Sequence, residues 1–475
     1  MIISENFPYT HEFFKVFDEI CKIPHGSGNT KAIAEFCIKY AEDCDCEAVQ
    51  DNAGNVIIKR PSGIGFELAE PIIIQGHLDM VCEKTPDSNH DFTRDPLKLS
   101  FDGKYITAEN TTLGGDDGIA VAFGLALIKD KELQLPPLEI LLTMDEETGL
   151  FGAADLDGSL LSGKNLINLD SEEEGTLLCG CAGGVRTAVT EKFKETLSFG
   201  TCVTLNLTGL AGGHSGVEIH KQRLNASKVM ASILGEVAGQ IKLISLVSGS
   251  KTNAIPCNCI VKFLVNSKNL ESVLEKINSK FSSLEVKSPE DNPKLNIDKV
   301  RYFGKALSNA DSNRIIVFLN DVSDGVLEEG ETGVITSLNT GISTYSNGEL
   351  SCEALIRSMD NSQLKKVYND VAMAAKNYRF AIEQGESYPA WEYNEVSPLR
   401  EKMVAIYEKM YGSKPQISTI HAGLECGLIS EKIPGMDAVS LGPNILDVHT
   451  INEKLDVESS IRVWEYLIEL LRSFN

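Results

Sequence analysis

The sequence predicts an α/β protein whose central sheet contains buried parallel strands. Four runs are apolar on both faces and roughly four to eight residues long, which is typical of strands that helices cover on both sides. These runs lie in PIIIQGHLDM (71–80), LEILLTMDEE (138–147), NLINLD (165–170) and AVSLGPNILDVH (438–449). Each is followed by an acidic or histidine cluster. Because ligands of open α/β sheets bind beyond the carboxyl ends of the strands, we expect the clusters to converge on one crevice.

Other elements follow from local periodicity and turn signals. Residues 8–22 and 458–473 have the apolar spacing of amphipathic helices. Residues 46–60, CEAVQDNAGNVIIKR, predict a β-hairpin that turns at 52–55. LGGDDG at 113–118 predicts the start of a helix with Asp116 at its mouth.

The middle of the chain has a different pattern. Between 186 and 390, strands alternate with amphipathic helices, and no strand ends in an acidic cluster. We therefore expect three segments, 1–185, 186–390 and 391–475. The first and third would form one discontinuous domain, because His449 would complete a site begun at His77. The 475 residues also exceed the roughly 250–300 that one core supports.

The middle segment contains a weak internal repeat. ISLVSGSKTNAIPCNCIVKFLV (244–265) resembles ITSLNTGISTYSNGELSCEALIRS (335–358), LESVLEKI (270–277) resembles NSQLKKVYNDV (361–371), and TLNLTGLAGG near 204 resembles KLNIDKVRYFG near 294. The repeat predicts an internal duplication into two α+β halves, about 186–285 and 290–390, related by a pseudo-dyad.

Charge and targeting signals narrow the class of protein. With 44 basic and 68 acidic residues the net charge is −24, which disfavours binding to nucleic acid or anionic membranes. The N-terminal residues lack the features of a signal peptide, and no run reaches the roughly 18 apolar residues of a membrane span. We expect a cytoplasmic protein whose twelve cysteines are reduced.

Three CxC pairs could touch a metal, since residues two apart share a strand face: Cys44/Cys46, Cys179/Cys181 and Cys257/Cys259. The CxxC spacing of structural zinc sites is missing, however, so buried thiols are the preferred interpretation.

The clusters at the strand ends supply candidate metal ligands. Taken alone, an HxD pair is usually chance, a DEE run a solvated face and a DD pair a helix cap. Beside buried strands, however, unpaired charges would be costly. Imidazole nitrogen and carboxylate oxygen bind zinc and similar ions, and a pair of metals needs a bridging carboxylate. The set therefore indicates a metal-dependent enzyme with the candidate ligands His77, Asp116, Glu147, Asp170 and His449.

Two neighbours of these candidates have chemistry of their own. Asp79 shares a strand face with His77 and could orient its imidazole from behind. Glu146 precedes Glu147 by one residue and so points elsewhere, which suits a general base acting on water.

Several ordered motifs resemble those of the M20 metallopeptidases, and within them the aminoacyl-histidine dipeptidase (PepD) branch, also called cytosolic non-specific dipeptidase. They are HLDMVCEK, LGGDDGIAVA, MDEETGLFGA, NLDSEEEG with GCAGG, GGHSG and DVHT. The resemblance runs from about residue 5 to the C-terminus. It implies a zinc-peptidase-type mixed sheet flanked by helices as the catalytic domain, interrupted by an inserted α+β lid domain.

The resemblance also implies a role for each residue of the metal site. Asp116 would bridge two divalent ions, zinc being the first expectation and cobalt or manganese the alternatives. The peptide bond between Asp116 and Asp117 is expected to be cis. Asp79 would orient His77, and Glu146 would be the base and later the proton donor.

Further residues are implied to contact the substrate. His214 of GGHSG would stabilise the developing oxyanion. Asn253 and Arg357 of the lid would bind the C-terminal carboxylate, together with the HAGLECG loop that carries His421, Gly423 and Glu425. Each also has a structural alternative, as a loop, turn, strand or packing residue. We expect His214 and Arg357 to act in their own chain after lid closure.

The expected function is the two-metal hydrolysis of unmodified L-dipeptides, including Xaa-His, by a cytoplasmic monomer or homodimer. One alternative is an M20 amidase of other specificity, such as an N-acyl amino acid deacylase or a tripeptidase. Another is a catalytically silent homologue that binds or scaffolds, which the intact ligands and base disfavour.

Overall fold

A computed structural model of the chain describes residues 7–330 and 333–474. The helices in these ranges are α1 (Glu12–Ile20), α2 (Lys31–Asp43), α3 (Gly115–Lys129), α4 (Phe151–Ala154), α5 (Ala226–Gly235), α6 (Leu270–Ser282), α7 (Asn309–Asp321), α8 (Asn361–Asn377), α9 (Pro398–Tyr411), α10 (Glu425–Lys432) and α11 (Val457–Arg472). Short 3-10 helices lie at Gly158–Leu160, Ile219–Lys221 and Ala238–Gln240. No helix in the described ranges has the length and apolar character needed to cross a bilayer.

The strands in the same ranges are β1 (Glu47–Gln50), β2 (Val56–Arg60), β3 (Ile72–His77), β4 (Leu99–Phe101), β5 (Tyr105–Ala108), β6 (Leu138–Thr143), β7 (Asn165–Asn168), β8 (Thr176–Cys181), β9 (Gly183–Lys192), β10 (Thr196–Thr208), β11 (Gly213–His214), β12 (Ile241–Ser248), β13 (Ala254–Ile255), β14 (Cys259–Val265), β15 (Lys294–Ala306), β16 (Gly325–Gly330), β17 (Gly333–Ser346), β18 (Glu349–Ser358), β19 (Ala381–Tyr388), β20 (Gln416–Ile420), β21 (Asp437–Ser440), β22 (Ile445–Leu446) and β23 (Lys454–Asp456). The helices predicted at 8–22 and 458–473 and the hairpin at 46–60 are confirmed by α1, α11 and the antiparallel pair β1–β2.

The chain divides into two compact units. The outer unit comprises Met1–Gly180, Tyr393–Thr419 and Leu424–Asn475, and the inserted unit comprises Cys181–Glu392 and Ile420–Gly423. Each unit has its own cluster of buried apolar residues.

The outer unit is built on an eight-stranded sheet of order β1-β2-β6-β3-β7-β21-β8-β20. Its four central strands β6, β3, β7 and β21 run parallel, and every residue of β3 and β6 is buried. The predicted buried parallel strands are therefore confirmed. A smaller sheet of order β22-β23-β5-β4 belongs to the same unit.

Helix α3 packs on this sheet at unusually short range. It is apolar almost all round, as a helix buried on both sides must be, and α1 lies against it at Gly118. A Cβ atom at Gly76 of β3 would lie 2.5 Å from the Cβ of Ala120. The glycine therefore lets α3 approach β3 and brings the first turn of the helix, with Asp116, next to His77.

The inserted unit contains one nine-stranded sheet that is built from two groups of the same βαββαβ order. The inner group consists of β10, α5, β12, β14, α6 and β15, with the strand order β15-β10-β14-β12. The outer group consists of β9, α7, β17, β18, α8 and β19, with the strand order β19-β9-β18-β17, and β16 pairs with β17. The two groups meet where β12 pairs with β17.

This topology differs from the two contiguous halves expected from the sequence. In the sequence, the inner group is inserted into the outer group between β9 and α7. β15 therefore belongs to the inner group and β9 to the outer group. The repeats that relate β12–β14 to β17–β18 and α6 to α8 agree with it. The similarity of TLNLTG and KLNIDK does not, because β10 and β15 are antiparallel partners, with Leu205 opposite Ile297 and Leu207 opposite Leu295.

Candidate metal centre and carboxylate site

The strand-end clusters of the outer unit meet beyond the carboxyl ends of the parallel strands. Within the described residues, ligand atoms lie within 4.8 Å of one another in three groups: His77, Asp116 and Asp170; Asp116, Glu147 and His449; and His77, Glu146 and Glu147. Asp116 belongs to two of these groups, and together these two contain all five candidate ligands.

The two oxygens of Asp116 face different histidines. Oδ1 lies 3.0 Å from Nε2 of His77, and Oδ2 lies 3.0 Å from Nε2 of His449. On the first side, Nε2 of His77 is also 3.6 Å from Asp170 Oδ1. On the second side, Nε2 of His449 is 2.8 Å from Glu147 Oε1. One carboxylate thus joins two clusters that each contain one imidazole and one further carboxylate. The Asp116–Asp117 peptide bond is cis, as expected.

The orientation of His77 is determined by the main chain of Asp79. Its Nδ1 lies 2.9 Å from the carbonyl oxygen of Asp79 and 3.5 Å from the carboxylate. Because a carbonyl only accepts, Nδ1 carries the proton, and Nε2 is the nitrogen that can bind a metal. The Asp79 carboxylate instead accepts from the N–H groups of Glu146 and Glu147, at 2.9 and 3.3 Å, and from the hydroxyl of Ser27 at 2.7 Å.

The electrostatics of the centre suit a pair of cations. Glu147 Oε1 is buried and makes no hydrogen bond of normal geometry, although His449 lies beside it. Burial lowers the pKa of His449, but the hydrogen bond to Asp116 and the close approach of the Glu147 carboxylate outweigh it and raise this pKa to about 11. Burial also raises the pKa of Asp170 to about 7. These raised pKa values mean that bound protons partly neutralise the carboxylates of Asp116, Glu147 and Asp170. Divalent ions, which bind nitrogen and oxygen ligands, would supply the same positive charge directly.

Glu146 lies at the edge of this cluster. One of its oxygens is within 4.8 Å of ligand atoms of His77 and Glu147, so it can reach a water molecule bound between them. Burial, as the largest cause, raises the pKa of Glu146 well above its usual range. A carboxylate in this position holds a proton readily, as a group that accepts and later returns one must.

Glu425 belongs to the core of the outer unit. Its side chain is 0% exposed and accepts hydrogen bonds from Gln75 Nε2 and Thr143 Oγ1, both at 2.6 Å. Burial raises its pKa to about 8. In this conformation Glu425 supports strands β3 and β6, which favours the structural alternative for this residue over contact with a substrate.

In the inserted unit, a two-stranded ribbon brings His214 next to Asn253. β11 pairs with β13 so that His214 lies opposite Ala254, and the N–H of Ser215 donates to the Asn253 carbonyl at 2.9 Å. Nδ1 of His214 accepts from the N–H groups of Gly216 and Val217, both at 3.2 Å. The neutral ring therefore carries its proton on Nε2, which makes that nitrogen a donor.

Arg357 lies in a row of residues that are paired across the sheet of the inserted unit. On one side, Arg357 of β18 pairs with Ser337 of β17. On the other side it pairs with Gly184 of β9, and Gly184 in turn pairs with Tyr388 of β19. Arg357 is 5% exposed, its Nε has no hydrogen-bond partner, and within the described ranges no carboxylate lies within 4.0 Å of it. His421 stands over one end of the row, with Nε2 2.8 Å from Ser337 Oγ.

Comparison with known proteins identifies the family. Residues 73–473 match the model of peptidase family M20/M25/M40. The chain belongs to this family. It is 36% identical to the cytosol non-specific dipeptidase of Escherichia coli strain K12 over 96% of each chain. Among solved structures, the aminoacylhistidine dipeptidase of Vibrio alginolyticus aligns with a TM-score of 0.87 and 36% identity, covering 97% of this chain and 96% of that one. The aminopeptidase PepT of Bacillus cereus, at 16% identity and a TM-score of 0.56, shares the fold.

This M20 peptidase has one site residue that the sequence did not point to. Glu453 is 3% exposed and lies beneath the loop that carries Asp116. Its Oε2 accepts from the N–H groups of Leu113 and Gly114 at 2.7 and 3.1 Å, and its Oε1 from those of Gly115 and Asp116 at 2.8 and 3.3 Å. No motif could have revealed this role, because every partner is a main-chain group that any residue offers.

Proposed function

We propose that this M20 peptidase is a metal-dependent dipeptidase that hydrolyses unmodified L-dipeptides, including Xaa-His. The observation that carries the proposal is the shared carboxylate of Asp116, which joins two ligand clusters in the outer unit. Zinc suits this set of imidazole and carboxylate ligands, and cobalt and manganese are the alternatives. The names of the relatives from Escherichia coli and Vibrio alginolyticus support the choice of dipeptides.

In the proposed reaction, His77, Asp116 and Asp170 would hold one ion, and Asp116, Glu147 and His449 would hold the other. Two ions in these positions would polarise the scissile carbonyl and increase the acidity of the attacking water. Glu146 takes the proton from this water and returns it to the leaving amine. Asp79 keeps Glu146 and Glu147 in place through their main-chain N–H groups.

Residues of the inserted unit would act on the same substrate. His214 donates from Nε2 to the oxyanion that forms at the attacked carbonyl. Arg357 binds the C-terminal carboxylate, since a buried guanidinium with no carboxylate partner is costly until an anion reaches it. Asn253, His421 and Gly423 complete this site in the proposal, and the inserted unit then serves as the lid.

The proposal is tested with purified protein reconstituted with zinc, manganese or cobalt. Release of amino acids is measured from L-dipeptides that include Xaa-His, from tripeptides and from N-acetyl amino acids. We expect metal-dependent hydrolysis of the dipeptides. Preference for tripeptides or N-acetyl amino acids would assign an amidase of other specificity. Failure to hydrolyse any of them with two ions bound would assign a binding homologue.

A Glu146→Gln variant tests the role of the base. The amide cannot accept a proton while the ligand set is unchanged, so we expect two bound ions and a rate at least about 100-fold lower. Glu132→Gln on the exposed surface is the matched control and should leave the rate unchanged. Activity near that of the wild type in metal-loaded Glu146→Gln protein would remove Glu146 from the mechanism.

The protein is further proposed to be a cytoplasmic monomer or homodimer that acts on dipeptides and binds neither nucleic acid nor membranes. The acidic net charge of −24 and the relative named as a cytosol dipeptidase support this proposal.

A further inference from the structure

Tyr388 occupies an unusual place beside Arg357. The two residues lie on β19 and β18, which are separated in the sheet by β9. The residue between them in the row is Gly184, which has no side chain. Tyr388 extends across this gap, so that Nη1 of Arg357 donates to its hydroxyl oxygen at 3.0 Å.

Two glycines make room for the ring of Tyr388. A Cβ atom at Gly184 would lie 2.5 Å from Cζ of Tyr388, closer than any side chain tolerates. A Cβ atom at Gly423 would lie 2.7 Å from Cε2 of the same ring. The ring is thus held between the main chain of β9 and that of the 420–423 segment. This accounts for one glycine of the GCAGG motif and for the first glycine of HAGLECG.

Among the hydrogen bonds of the described residues, the hydroxyl of Tyr388 is the one acceptor of the Arg357 guanidinium. It is a neutral acceptor, so it can orient the guanidinium without cancelling its charge. A carboxylate in its place would form a buried ion pair and would compete with any incoming anion. A fixed guanidinium presents its remaining N–H groups as a planar fork, which suits two-point binding of a carboxylate.

We propose that Tyr388 is a positioning residue that holds Arg357 in the orientation required to bind the C-terminal carboxylate of the substrate, and that Gly184 and Gly423 are glycines because Tyr388 must pass between them. This inference rests on the proposed function of Arg357. It adds a specificity-determining residue on β19 to the site. Tyr388 acts through Arg357, so its contribution should disappear when Arg357 is absent.

The central test is a double-mutant cycle between Tyr388→Phe and Arg357→Ala. Phenylalanine keeps the ring between the two glycines and removes only the hydroxyl. For a dipeptide with a free carboxylate, we expect Tyr388→Phe to raise KM about 10-fold to 150-fold, the range for one lost hydrogen bond to a charged group, with kcat changed less than about twofold. In the Arg357→Ala background, or in Arg357→Lys if the alanine variant is too slow, the same change should have no further effect. Tyr302→Phe, whose hydroxyl donates to the Lys305 carbonyl on β15, is the matched control.

A second comparison separates this inference from the proposed function. The same kinetics are measured with the C-terminal amide of the dipeptide, or with the amide as a competitive inhibitor where it is cleaved too slowly. If Arg357 binds the carboxylate, Arg357→Ala weakens binding of the acid far more than that of the amide. Equal effects on both would overturn the proposed role of Arg357 itself.

Two outcomes would overturn the role of Tyr388 alone. One is a full effect of Tyr388→Phe on KM in the Arg357→Ala background. The other is an equal rise in KM for the acid and the amide, which would indicate a structural role. Gly184→Ala provides an independent check, since the added methyl group displaces the ring. It should raise KM for the acid at least as much as Tyr388→Phe does in protein that keeps its circular dichroism spectrum.

Discussion

Replacing Glu453 with glutamine should weaken the metal centre without touching a ligand. The Glu453 carboxylate accepts four main-chain N–H groups from the loop that ends in Asp116. A glutamine side chain has one carbonyl oxygen, which can serve two of these donors. Its NH2 group would face the other two, and they would be left buried without an acceptor.

The magnitude follows from the count of lost partners. Each buried donor that loses its acceptor costs about 1–3 kcal/mol, so two of them should lower the free energy of unfolding by about 2–6 kcal/mol. The loop should also shift, and both oxygens of Asp116 would shift with it. Loss of a group that orients a metal ligand typically costs about 10–100-fold in metal affinity.

The assay combines urea unfolding of metal-free protein with metal affinity measured against a chromophoric chelator. Glu458→Gln is the matched control, because Glu458 is exposed near the start of α11, five residues beyond Glu453. We expect that control to match the wild type in both measurements. Glu453→Gln protein that is destabilised but binds metal as tightly as the wild type would refute the link from Glu453 to the metal centre. Protein unchanged in both would refute the count of hydrogen bonds as well.

Three further predictions concern metal, pH and chain composition. Dialysis against a chelator should abolish activity, two equivalents of zinc per chain should restore it, and Asp116→Asn protein should bind neither ion tightly, as calorimetry would show. Burial, followed by the nearby Arg357, lowers the pKa of His421 to about 4. The unfolded chain therefore takes up a proton near pH 6.5 that the folded protein excludes, so stability falls as the pH drops from about 6.5 to 4, by at most about 3 kcal/mol from this group. His421→Gln should flatten urea midpoints over that window, and an unchanged pH slope would contradict the assignment. Mixed oligomers of inactive Glu146→Gln and His214→Ala chains should stay inactive if His214 serves its own chain, and substantial recovered activity would show that it acts across an interface.

The candidate metal centre could be predicted from the sequence because its chemistry is carried by residue type and position. His77 ends β3, and Glu147 and Asp170 closely follow β6 and β7, three parallel strands that present their carboxyl ends at one edge. The burial of β3 and β6 removes the alternative of a solvated acidic surface. Residue types at strand ends were therefore enough to indicate which side chains would meet.

Other features depend on pairings that no local pattern encodes. The proximity of Tyr388 and Arg357 can be recognised only from the register of β9 with β18 and β19. The carbonyl of Asp79, rather than its carboxylate, lies nearest to His77, and a sequence does not distinguish the two. The two contiguous halves expected in the middle segment differ from the observed strand order for a related reason, since the similar alternation in β10 and β15 belongs to two antiparallel neighbours in one sheet.

The nested order of the two groups in the inserted unit determines how this region can form as the chain is made. The inner group closes within Thr196–Ala306, so its contacts are short in sequence and can form early. β9 leaves the ribosome before that group, yet both of its partners, β18 and β19, follow it. During this interval both edges of β9 lack their native partners, a state that favours association between chains. A nascent chain synthesised as far as Ala306 contains every strand of the inner group. In contrast, both partner strands of β9 are complete only after Tyr388 has been added.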